Sequence, residues 1–88
     1  MKDVHGNEVF KNAFVKILSL NPKDFAHLNE NELSEVMSMV GEILEVYEID
    51  EYNQAWVRKE WKVSEDDIKS HSVGLSSHEF ELSTTVNT

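Results

Sequence analysis

The sequence predicts a mostly α-helical protein: a small bundle of about three main helices with an extended C-terminal segment. Apolar residues recur at helical spacing over 30–48, a shorter stretch at 7–20 does the same, and the single proline, Pro22, stands between them where a helix would start. The alternative is an α+β fold in which 55–63 and 78–86 form a β-hairpin-like pair, because both stretches alternate apolar and charged residues.

In the first predicted helix, 7–20, Asn7 can cap, and Phe10, Ala13, Phe14, Ile17 and Leu18 form one stripe opposite Lys11, Asn12 and Lys16. Asn21-Pro22 ends it and opens a short helical turn over 22–28, which inserts Phe25 and Leu28 into a core. The second helix, 30–48, carries the strongest signal. Leu33, Val36, Met37, Val40, Ile43, Leu44 and Tyr47 all fall on one face, with Glu35, Glu42 and Glu45 opposite and Met39 and Val46 on the flank. Asn29 or Asn31 can cap it, and Glu30 and Glu32 suit its positive end.

Beyond Tyr47 the apolar phase breaks. A turn near Glu48–Asp50 and a third helix over 51–61 accommodate the Ile49, Tyr52 and Trp56 stripe, which places Trp56 in the core and leaves Trp61 free for contact. Ser64 with Asp67 reads as a short helix start, Gly74 as a break, and 78–86 as an alternating segment. The expected organisation is one helical domain over 1–76 with 77–88 as an extended or disordered tail.

The composition bounds function by exclusion. There is no cysteine, hence no disulfide, thiolate nucleophile or cysteine-based zinc site. None of His5, His27, His71 and His78 forms an HxxxH pair. Asp24 and His27 make half a metal site at most, and Glu65-Asp66-Asp67 lacks the alternating oxygen ligands of a calcium loop. Three scattered glycines build no phosphate cradle. The expectation is a non-enzymatic protein with no cofactor and no metal. No apolar run is long enough to span a bilayer and no secretory leader pattern opens the chain, so a cytoplasmic location is expected.

The net charge is −9, and its placement is uneven. Between Lys23 and Arg58 there is no basic residue, while nine acids fall there; the rest of the chain has eight acids and eight bases. Such segregation gives a directional field. The cations Arg58, Lys59 and Lys62 beside Trp56 and Trp61 are too few for direct nucleic-acid binding against that field. The expected function is a small acidic protein-binding module that engages a partner with a basic surface, as an inhibitor, neutraliser or DNA mimic. Its interface would comprise Glu35, Met39, Glu42, Glu45, Val46, Tyr52 and Trp61. The alternative is a homo-oligomeric structural or assembly protein with a chaperone-like role, its simplest form a homodimer.

Overall fold

The computed structural model, which describes residues 1–83, is built on a five-stranded antiparallel sheet rather than a helical bundle. The strands are β1 (Phe14–Ile17), β2 (Ile43–Ile49), β3 (Ala55–Lys62), β4 (Ile68–Leu75) and β5 (Phe80–Leu82), in spatial order β4-β3-β2-β1-β5. One α-helix, α1 (Glu30–Met37), lies in the β1–β2 connection, after a 3-10 turn at Pro22–Phe25.

The predicted helix 7–20 does not form. Asn12 sits at φ 77, a left-handed conformation that stops a helix, and its N–H reaches the Val46 carbonyl at 2.7 Å. The alternating residues Val15 and Ile17 are wholly buried, whereas Phe10 and Phe14 of the helical stripe are exposed. The turn at 22–25 does form, with Asn21 accepting from the Lys23 N–H.

The predicted helix 30–48 is two elements. Asn29 caps α1 by accepting the Glu32 N–H at 2.8 Å, and Glu30 and Glu32 lie in its first turn. After Ser38 the chain tightens through Met39 N–H to Val36 O and Val40 N–H to Met37 O. Gly41, at φ +92, then turns it into β2. Ile43, Val46, Tyr47 and Ile49 are β-branched or aromatic and suit a strand.

A register shift between Val46 and Glu48 makes Tyr47 an extra residue in β2. Leu44, Val46 and Ile49 therefore pack toward the core at spacings of two and three, whereas Ile43 and Tyr47 of the helical stripe are exposed.

The third predicted helix, 51–61, is also replaced. Asp50 and Asn53 (φ 61) form the β2–β3 turn: the Asp50 side chain accepts the Tyr52 and Gln54 N–H groups, and its main-chain carbonyl accepts that of Asn53. Residues 55–62 are a strand, but it lies between β2 and β4, pairing with Leu75 to Ile68 of β4 rather than with 78–86. Ser64–Asp67, expected to start a helix, is the turn of that hairpin, with Val63 N–H bonded to Asp67 O.

The C-terminal segment belongs to the sheet as far as Leu82. Phe80, fully buried, pairs with Ile17, and Leu82 pairs with Val15. Residues 84–86 of the expected alternating segment lie outside the described residues. Only Ser76–Glu79, largely a 3-10 turn, links edge strand β4 to edge strand β5. Five flat strands would hold those edges roughly 19 Å apart, and a linker with this much 3-10 character reaches only about 13 Å. The sheet must therefore curl until its edges approach at that end.

The concave side encloses Val15, Ile17, Val46, Val57, Val73, Leu75 and Phe80, and α1 with its following turn adds Val36 and Met39.

Candidate protein-interaction site

The two edges of this sheet end differently. Along β5 the N-terminal segment folds across the edge: Val4 N–H donates to Phe80 O at 3.1 Å, and Leu82 N–H donates to the Asp3 carboxylate at 2.7 Å. Asp3, only 4% exposed, also accepts the His5 and Asn7 backbone N–H groups and the Asn7 amide. Burial alone would raise this carboxyl, but the hydrogen bonds prevail and hold its pKa at about 2.

Along β4 the outer edge is open. Among the described residues, no segment other than β3 makes a backbone hydrogen bond with residues 68–75. About half the peptide groups of an edge strand point outward, so β4 offers a row of donors and acceptors.

Beside this edge lies a groove of about 550 Å³. His71, Ser72, Val73 and Gly74 form one wall; Phe25 and Leu28, Leu20 and helix residue Val36 form the other. Asp24, His27 and Glu79 add polar groups, and no lysine or arginine lines it.

Trp56 is the distinctive side chain of the site. It stands opposite Gly74, and its ring lies so close that a Cβ on Gly74 would meet Cε2 and Cζ2 at 3.0 Å. Gly74, read from sequence as a break, is thus a strand residue whose missing side chain admits an indole. The Trp56 Nε1 donates to Asp50 Oδ2 at 2.7 Å, which fixes the ring. That bond, with the Gln54 and Tyr52 N–H groups, outweighs desolvation and lowers the Asp50 pKa.

Under α1, near the same edge, charged groups form a connected chain. Glu35 Oε1 meets Lys69 Nζ at 3.0 Å and His71 Nε2 at 3.4 Å. The His71 ring stands edge-on to Trp61, with centroids 5.5 Å apart. Lys59 Nζ lies 5.2 Å from the Trp61 ring centroid and pairs with Glu42 at 2.8 Å. The Lys69 hydrogen bond is the main cause of a lowered Glu35 pKa, with desolvation opposing it and His71 adding to it.

This geometry divides the seven residues expected to make the interface. Met39 and Val46 are completely buried, so neither can touch a partner in this fold. Glu35, Glu42 and Trp61 enter the chain of ion pairs and ring contacts beneath α1. Glu45 pairs with Phe14 across β1–β2, where Phe14 is on the sheet face away from α1. Tyr52 projects from the β2–β3 turn, 78% exposed. The single glutamate face expected from a helix over 30–48 does not exist. Trp56 and Trp61 also exchange expected roles, since Trp61 packs against the core and Trp56 lies on the opposite face. Strand parity dictates that exchange, because residues five apart face opposite sides of a sheet.

Among the described residues, no three His, Asp or Glu side chains stand close enough to hold a metal ion, and no helix is long and apolar enough to cross a membrane. No family model, curated protein or solved structure matches this chain.

Proposed function

We propose that this protein is a non-enzymatic binding module for a partner protein with a basic surface, and that the groove beside β4 receives that partner. The observation that carries this reading is the contrast between edges: the N-terminal segment covers β5, while among the described residues the outer edge of β4 has no partner strand, beside a groove with acidic and apolar walls. The net charge of −9 favours a cationic partner and speeds its arrival, more so at low salt. A nucleic-acid mimic is not supported, because Glu35 and Glu42 are already paired with cations of the same chain.

The absence of cysteine provides a direct test. Ser72→Cys and Glu65→Cys each carry one thiol for a photocrosslinker, the first beside the groove and the second in the β3–β4 turn. Exposed to the proteins of the cell that makes it, the Ser72 probe should label a positively charged protein that the Glu65 probe does not. Identical adducts from both positions would contradict the reading.

A further inference from the structure

The groove and the edge beside it define how a partner would be held. We propose that a partner segment binds as a sixth strand, antiparallel along β4, with alternating apolar and basic side chains. This deepens the binding-module reading and rests on it.

The alternation follows from what lies on each side of the edge. Side chains of an added strand point in turn to the two faces of the sheet. On the concave side they meet Phe25, Leu28 and Val36 and the buried Val73, a setting for β-branched or aliphatic groups. On the other side they meet Ser72, Gly74 and the Trp56 ring lying over Gly74, with Arg58, opposite Ser72, paired with Glu60 at 3.0 Å. A cation there gains the face of an indole whose N–H is bonded to a carboxylate, Asp50, and that bond polarises the ring in the sense that favours a cation.

Charge selects against other occupants. No lysine or arginine lines the groove, and the exposed carboxylate of Asp24 does; Glu79 is buried and accepts the Ser76 N–H. A second copy would bring its own net charge of −9. Main-chain hydrogen bonds would supply affinity, and the two sets of side-chain contacts would supply specificity.

The probe is a capped peptide of about ten residues in which valine and arginine alternate, compared with two others: one of equal composition with the valines and arginines in separate blocks, and one N-methylated on alternate amides of one edge. The unmethylated alternating peptide should bind about tenfold more tightly than either, and should slow hydrogen exchange at the outward amides of β4. Trp56→Leu should weaken it by a similar factor while the block peptide is unaffected; if that variant fails to fold, the peptide comparison decides alone.

Equal binding of the alternating and block peptides would overturn strand addition and leave a merely electrostatic surface. No binding of any peptide at low salt would overturn the basic-partner reading as well. A free protein that is dimeric, with the β4 amides already protected, would make a second copy the occupant and also overturn the proposal.

Discussion

Phe80→Ala should destabilise the protein by about 3–5 kcal/mol, the cost of deleting a buried aromatic ring. Phe80 is fully buried and pairs with Ile17 at edge strand β5. For a chain of this length the whole stability is roughly 4–13 kcal/mol, so the variant should lose between about a quarter and all of it. Urea denaturation followed by tryptophan fluorescence measures the loss. Val40→Ala is the matching control, because Val40 is 37% exposed and should cost less than about 1 kcal/mol. A bundle ending at residue 76 would give the reverse order, with Val40 costly and Phe80 nearly neutral.

Asp3→Ala should cost about 3 kcal/mol, since the N–H groups of His5, Asn7 and Leu82 all lose their shared acceptor. Its acid limb gives a second readout. The carboxyl goes from an ordinary 3.8 to about 2 on folding, so its charged form is favoured by the fold. That contribution, about 2 kcal/mol, is complete above pH 5 and is lost as the pH falls through 4 toward 2. Asp3→Asn keeps one acceptor oxygen but cannot titrate, so it should be less damaging than alanine and should flatten this part of the stability curve. Wild-type acid sensitivity in Asp3→Asn would show that Asp3 does not anchor the N-terminal segment on β5.

Some of this structure was legible in the residues. The Asn21-Pro22 turn, the Asn29 cap and the acids of the first turn of α1 mark real boundaries, because caps and proline act locally. The length of the following helix was not legible. Leu33 and Val36 belong to α1, whereas Ile43, Leu44 and Tyr47 belong to a strand in which only Leu44 of the three packs against the core. Periodicity cannot separate those cases; Gly41 between them and the β-branched content after it were the usable signs.

The site was hidden for a different reason. Trp56 opposite Gly74, and Glu35 beside Lys69 and His71, depend on strand register and on where α1 lands, which are tertiary facts. The acidic segment was visible, but not its division: Glu42 turns to Lys59, Asp50 to Trp56, and Glu45 lies on a β2 position facing Phe14.

Amide hydrogen exchange, resolved by residue in the free monomeric protein, tests the central claim most directly: a curled sheet with one covered edge and one open edge. Val15, Lys16 and Val57 occupy interior strands, and Leu82 donates to Asp3 at the covered edge, so their amides should exchange slowly. Along Ile68–Leu75, slow and fast amides should alternate, the fast set being those that point away from β3. Uniform protection along β4 in the monomer would contradict an open edge, and a continuous helical pattern of protection through 43–48 would contradict the sheet itself.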